Sequence, residues 1–509
     1  MSLQDLPPEL TERIVVLLRL SDICSLRLTS KSLALKTVQR RLKASFRKKR
    51  VEITEQGLRS FVAITGSASG NLGCLLQDPT LVAPAYNIWA LAADLEEKAT
   101  TSVEFTGHHD GFYESCRRKV SEEHLRQTRL DLTVLKEKSA EQLGLQRCRR
   151  DVELLRQTFF NLDAHGASLR VLRTEVVVYM DDTTTPLLPF FGGHEQPIWA
   201  SAAHVGRTLF ASLAGCDLPV QSLNLFNTSR MVRCSLPLDE LNRVDFASIR
   251  LGLSLNYLTE LSLRVSDRHV DDQIYKGLLE EFAQDDLDGL RSLLQACPSI
   301  QKLDLAHFSR VFIAKGWKRH GRILQALTQS NLRYLHCLTL QGLDLTEREL
   351  LITLQGFATL RRLSLRYISL KKGSFTPIFD YCTVVSSMEQ LEFDSLTHKV
   401  DLHGDLEPRI VRFYPPWVVR SEDFPLYNEE IPEYPESRAS YRRALDDSTD
   451  RRIKHDFFHD VFDVSYVNSW NQDMKSRFGH LRGKTGMPSC LQPHVLPERT
   501  WQYIDLDET

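Results

Sequence analysis

The feature that most constrains the fold is a six-residue phrase: an aliphatic residue, two others, Leu, one other, then Leu or Phe. It reads VQSLNL at 220–225, LTELSL at 258–263, IQKLDL at 300–305, LHCLTL at 335–340, LRRLSL at 360–365 and MEQLEF at 388–393, with LRVL at 169–172 as a shorter form. Residues two apart share one face of an extended strand, so each copy spells a short strand with an apolar face and a polar one. One such strand cannot bury its leucines alone; a stack of them can. Intervals between core leucines run from 25 residues (Leu338 to Leu363) to 42 (Leu261 to Leu303), so several copies carry insertions. Between the copies, 198–213, 277–282 and 321–329 are patterned as helices. The fold class expected is α/β: parallel strands and helices stacked as an irregular solenoid over 166–400. A general α/β domain with several Leu-x-Leu strands is the alternative.

In the stacked arrangement the residues between the leucines form one continuous polar face. They are Ser222, Asn224 and Phe226; Glu260, Ser262 and Arg264; Lys302, Asp304 and Ala306; Cys337, Thr339 and Gln341; Arg362, Ser364 and Arg366; and Gln390, Glu392 and Asp394. The mixture of charges and the scarcity of apolar area point to a protein ligand of unknown identity rather than to a lipid or cofactor. Asn224, Phe226, Glu260, Arg264, Lys302, Asp304, Thr339, Arg362, Arg366 and Glu392 are the expected substrate contacts.

The N-terminal stretch LPPELTERIVVLLRLSDICSLRLTSKSL (6–33) has a different period. Pro7 and Pro8 suit a first helical turn, whose N–H groups lack partners in any case. Leu6, Leu10, Ile14 and Leu18 follow at steps of four, and Ser21-Asp22 and Ser30 offer restarts before Ile23 and Leu33. Three short helices within about 40 residues are expected, a size at which a lone core is marginal. The stretch resembles an F-box: Leu6-Pro7-Pro8-Glu9-Leu10, Ile14, Leu18, Asp22-Ile23, Leu26-Arg27-Leu28 and Ser30-Lys31-Ser32 fall on that family's pattern without a gap. Arg19-Leu20 stands where the family commonly has Asp-Pro. The later copies in turn resemble the irregular leucine-rich repeats that often follow an F-box. They depart from regular repeats in having Ser266, Phe308, Leu343, Ile368 and Leu396 where an Asn is usual.

The resemblance implies a Skp-type adaptor as partner, through it a cullin, and a role as the non-catalytic substrate receptor of a ubiquitin ligase. It implies that Leu6 and Pro7 enter the adaptor's groove and that Leu10, Ile14, Leu18 and Ile23 build the helical core and its contact face. A scaffold without a ligase role is the other reading, and a helical hairpin packed on the rest of the chain is the alternative for the stretch itself.

The remaining sequence divides into 1–50 (the three helices), 51–165 (a helical linker, strongly patterned from Ser121 to Leu162 and divided at Gly144), 166–400 (the repeats) and 401–509. The last part is rich in aromatics and proline; part of it is expected to cap the last copy or fold over the polar face, and the rest to be a flexible tail. Eight basic residues and no acidic one fill 36–50, readable as a nuclear signal, an anion patch or the wet tail of helix three. The whole chain is balanced, with 64 Lys plus Arg against 66 Asp plus Glu, so no global field steers it to nucleic acid or membrane. Its longest N-terminal apolar run, Ile14–Leu18, is far too short to span a bilayer. Ten scattered cysteines without CxxC suit reduced thiols in the cytoplasm or nucleus. His108-His109-Asp110 with Cys116 has no structural zinc spacing. Gly192-Gly193-His194-Glu195 lacks a GxSxG partner, and neither a phosphate loop nor HExxH occurs. No catalysis, cofactor or metal is expected.

Overall fold

The computed structural model describes residues 3–37, 46–66, 75–105, 113–179, 195–227, 234–247, 249–266, 287–308, 317–385, 387–394, 396–402, 405–413, 438–442 and 459–463. Each Leu-x-Leu phrase forms a strand, and the strands lie side by side. In spatial order they are β1 (Lys48–Glu52), β2 (Asp78–Tyr86), β3 (Leu169–Tyr179), β4 (Val220–Leu225), β5 (Glu260–Ser266), β6 (Lys302–Phe308), β7 (Cys337–Gln341), β8 (Arg362–Arg366), β9 (Gln390–Asp394) and β10 (Arg438–Arg442). β1 to β9 run parallel, and β10 closes the row antiparallel. A two-residue strand, Leu236–Pro237, pairs with the end of β5.

The register explains why the phrase recurs. Leu172, Leu223, Leu261, Leu303, Leu338, Leu363 and Leu391 stand opposite one another in one unbroken row. Thr174, Leu225, Leu263, Leu305, Leu340, Leu365 and Phe393 form the next. Both rows are buried in one core with side chains from the helices Arg150–Ala164, Glu195–Leu213, Asp288–Gln295, Trp317–Gln329, Glu347–Gln355 and Thr376–Val384. The helices expected at 198–213 and 321–329 are present, whereas 277–282 lies outside the described residues.

After β7 and β8 the chain turns through left-handed residues, Gly342 (φ 71°) and Tyr367 (φ 52°), into a second sheet. Asp344–Thr346, Ser369–Lys372 and Thr397–Leu402 are parallel there, and Asp405–Phe413 and His459–Asp463 add on antiparallel. At position 342 a side chain would meet the His307 carbonyl oxygen at 2.2 Å, so the close approach as well as the φ angle demands glycine.

The stretch 51–165, expected as a helical spacer, contributes β2 and the last two residues of β1, so the long sheet begins well before residue 166. β2 escapes a Leu-x-Leu search because it is covered, like the end of β3, on both faces. Helices Glu55–Thr65 and Arg150–Ala164 lie on one side. Leu91 of helix Ile88–Glu97 and Leu135 of helix Glu122–Arg147 pack with Val82, Val177 and Tyr179 on the other. Strands buried on both faces read as continuous apolar runs rather than as alternation. The end of the basic run is likewise a strand: Lys48, Lys49 and Arg50 lie exposed on β1, the first strand of the row, where charge blocks edge-to-edge pairing. Gly144 does not divide the long helix; the break falls at Cys148–Arg149, where Arg149 takes φ 55°.

The N-terminus forms three helices, Pro8–Leu17, Leu20–Thr29 and Lys31–Lys36, with Pro8 in the first turn and Ser30 accepting from the Leu33 amide at 3.1 Å. Asp22 acts from inside the second helix, accepting from the Arg19 amide at 3.3 Å. Lys36 Nζ ties the third helix to the start of the chain by donating to the carbonyls of Gln4 (2.7 Å) and Leu6 (2.8 Å). Of the tail, Asp405–Phe413, β10 and His459–Asp463 extend the two sheets, while Trp417, Tyr427, Trp470 and Trp501 lie outside the described residues.

If the aliphatic rows carry the stability, Leu305→Ala, at a site of 0% exposure in mid-row, should cost about 2–5 kcal/mol in a urea titration. Ser262→Ala, on the opposite face of β5, should change it by less than about 0.5 kcal/mol.

Candidate functional site: the polar face of the long sheet

Because helices cover the outward side of β2 and β3, the face left open is that of the later strands. There a hollow of about 540 Å³ is lined by Glu260, Lys302, Cys337, Thr339, Arg362, Ser364, Gln390 and Glu392 on the strands, and by Thr259, Gln301, His336, Arg361 and Glu389 where the chain enters them. Five expected contacts, Glu260, Lys302, Thr339, Arg362 and Glu392, are brought together in it. Asn224, Phe226, Arg264, Asp304 and Arg366 are not among its lining.

Each exclusion has a physical reason. Phe226, expected on the polar face, is wholly buried: the strand ends at Leu225 and Phe226 takes φ 69°, so alternation no longer decides where it points. Arg264 is 7% exposed and donates from Nε to Asn227 Oδ1 at 3.1 Å. Asn227 in turn donates to Asp304 Oδ2 at 2.7 Å, and its amide is held by Asn224 Oδ1 at 2.9 Å. Asn224, Arg264 and Asp304 are therefore occupied with one another through Asn227, a turn residue that strand alternation does not single out. Arg366 lies beside the hollow, donating to Ser364 Oγ and to Glu392 Oε2, each at 3.2 Å.

Sequence reasoning also passed over the line of residues just before each strand. His336, Arg361 and Glu389 follow the first aliphatic residue of their copies, a position that a period-two reading assigns to neither face. The usable signal was their place in the phrase, which is constant from copy to copy.

Two titrating groups of this face are perturbed. Burial pushes the Asp304 carboxyl above its usual range, against the Asn227 hydrogen bond and the charges of Arg264, Arg366 and Lys302. Burial also pushes the Cys337 thiol up, with Arg362 and Lys302 acting in the opposite sense, so at neutral pH it stays protonated and is a poor nucleophile.

At the N-terminus, Pro7 and Leu10 are exposed and Leu6, Ile14 and Leu18 half-buried, whereas Ile23 is wholly buried with Val15. Ile23 therefore belongs to the helical core and has no surface to offer a partner. Large aliphatic side chains stand in water around it: Leu17 is 86%, Leu28 89% and Leu35 76% exposed. Among the described residues no group of His, Cys, Asp and Glu could hold a metal, and no helix is long and apolar enough to cross a membrane. His108-His109-Asp110 and Gly192–His194 lie outside the described residues. No family model and no curated protein matches the chain.

Since its folded carboxyl binds a proton more readily than an unfolded one, Asp304 favours the fold below the ordinary carboxylate range and loses that advantage as pH rises through its raised value. Asp304→Asn should accordingly raise the thermal midpoint near pH 7.5. The gain should shrink steadily as melts are repeated at lower pH.

Proposed function

We propose that this protein is the substrate-recognition subunit of a Skp–cullin–F-box ubiquitin ligase, with the N-terminal helices holding the adaptor and the polar sheet face holding a target. The observation that carries this reading is the distribution of exposed apolar side chains. Of the thirteen large ones among the described residues, five (Leu10, Val16, Leu17, Leu28 and Leu35) fall within the first 35 residues. A three-helix unit that buries Val15, Ile23 and Leu33 leaves those five exposed among the described residues. An exposed apolar patch of that kind marks a protein contact, and the ungapped F-box pattern names a Skp-type adaptor as the partner. The second half of the reading rests on the stacked strands, which resemble irregular leucine-rich repeats and present a polar, hollowed face with the residue types of a protein-binding surface.

The receptor itself would perform no bond-making. Its contribution is to hold target lysines near the ubiquitin thioester carried by partners, replacing a bimolecular encounter with a local one. Cytoplasmic or nuclear residence follows from that assignment.

Binding of the full chain to a purified Skp-type adaptor, measured by calorimetry, tests the proposal. Leu6→Ala with Pro7→Ala, and separately Leu17→Asp with Leu28→Asp, should each weaken it by about tenfold or more, or about 1.4 kcal/mol. Leu143→Asp, at an exposed leucine elsewhere, should leave it unchanged. Absence of adaptor binding would refute the reading, and adaptor binding that recruits no cullin would assign a scaffold role instead.

A further inference from the structure

Lys302, Cys337 and Arg362 form one row across β6, β7 and β8, with Cys337 opposite Lys302 on one side and Arg362 on the other. Adjacent strands are about 4.8 Å apart, so the two cations rise from backbone positions roughly 10 Å apart. Side chains of their length can close on a single carboxylate from both sides.

The neighbouring charges already have partners. Arg361 Nη1 lies 3.4 Å from Glu389 Oε1. Arg366 Nη2 lies 3.2 Å from Glu392 Oε2, whose other oxygen accepts from Gln390 at 2.8 Å. Asp304 is engaged by Asn227. Glu260, on the outer flank of Lys302 across β5, accepts from Ser222 Oγ at 3.4 Å and makes no ion pair with Lys302 within 4 Å. Among the described residues, pairing thus leaves Lys302 and Arg362 with a protonated thiol between them on the floor of the hollow, with the unpaired carboxylate of Glu260 at the β5 end and the paired carboxylates of Glu389 and Glu392 at the β9 end.

We propose that the hollow is a docking surface for an extended acidic segment of a partner protein, one carboxylate of which sits between Lys302 and Arg362 above Cys337. Across the strands the floor reads Glu260, Lys302, Cys337, Arg362, Gln390, so the segment that fits is acidic at its centre and neutral or basic where it passes β5. From β5 to β9 the hollow spans four strand spacings, about 19 Å, which an extended chain of roughly six residues covers. That span favours a peptide over a small anion. The inference rests on the receptor reading only in taking the segment to belong to the target.

The probe is a short fluorescein-labelled peptide with a run of glutamates in a Gly/Ser frame, titrated against the full chain by fluorescence anisotropy beside a glutamine version. The glutamate peptide should bind the tighter of the two and weaken as salt is raised. Lys302→Glu with Arg362→Glu should cost about tenfold or more in affinity. Arg322→Glu with Arg348→Glu, an equal change of charge at exposed positions on the helices Trp317–Gln329 and Glu347–Gln355, should cost nothing. If circular dichroism shows the first pair unfolded, Lys302→Gln with Arg362→Gln carries the same expectation. Equal binding of both peptides, or equal loss in both pairs of variants, would overturn the docking surface. Adaptor affinity measured on the same preparations separates the two readings, because it tests the N-terminal helices and not the hollow.

Discussion

The long sheet depends on two rows of aliphatic side chains meeting in register, and a second device keeps the register from slipping. At the entrance to each later strand one carbonyl accepts two amides of the following repeat. Thr259 O takes Gln301 N and Lys302 N at 2.8 and 3.0 Å, Gln301 O takes His336 N and Cys337 N at 2.8 and 3.0 Å, and His336 O takes Arg361 N and Arg362 N at 2.8 and 2.9 Å. Slipping a strand by one residue would turn its leucines to the polar face and break both bonds at once. With register pinned at the entrance, the length of each excursion between strands is unconstrained. That is how intervals of 25 and 42 residues coexist in a sheet with no irregularity in its leucine rows.

A row of strands has two ends, and this chain manages them differently. At the first it sets Lys48, Lys49 and Arg50 on β1 and lays the helices Ile88–Glu97 and Glu122–Arg147 over the outward side of β2 and β3. Under that cover Tyr86 is half-buried, and burial, then the charges of Glu52 and Glu141, push its hydroxyl up to about 12. At the other end the antiparallel β10 ends the parallel stack. Covering the first strands costs the molecule that part of its polar face as a binding surface. The open hollow lies over β5 to β9 because nothing among the described residues is packed on it.

What the sequence revealed and what it hid follow from the same rules. The strands from β4 to β9 were legible because each has one buried and one open face, which imposes alternation. β1 and β2 were not, since a charged edge and a doubly covered strand both lack it. The hollow was legible at Glu260, Lys302, Thr339, Arg362 and Glu392 for as long as alternation holds, and it failed at Phe226, one residue past the end of β4, where a left-handed φ resets the direction of the side chain. Asn227 was illegible for another reason: it acts through a turn, engaging a carboxylate 77 positions away. The N-terminal helices were readable from caps and fourfold spacing, but which leucines face inward was not, because Val15 and Leu17 differ in exposure (0% against 86%) and not in chemistry.

The two surfaces singled out are of opposite physical kinds, and this gives the assignment internal structure. The N-terminal patch is made of Leu10, Leu17, Leu28 and Leu35, so the partner proposed there would be held by removing hydrocarbon from water, an interaction that salt does not screen. The hollow is made of ion pairs and two cations left over from them, so the partner proposed there would be held by charges that an ionic strength of 0.15 M screens over about 8 Å. A bridging protein gains from that difference. Its attachment to a constant partner can stay tight across conditions, while its grip on a variable one is tuned by the placement of a few charges. In this chain such tuning would fall on the residues between the leucines, which can change without touching the rows that hold the sheet together.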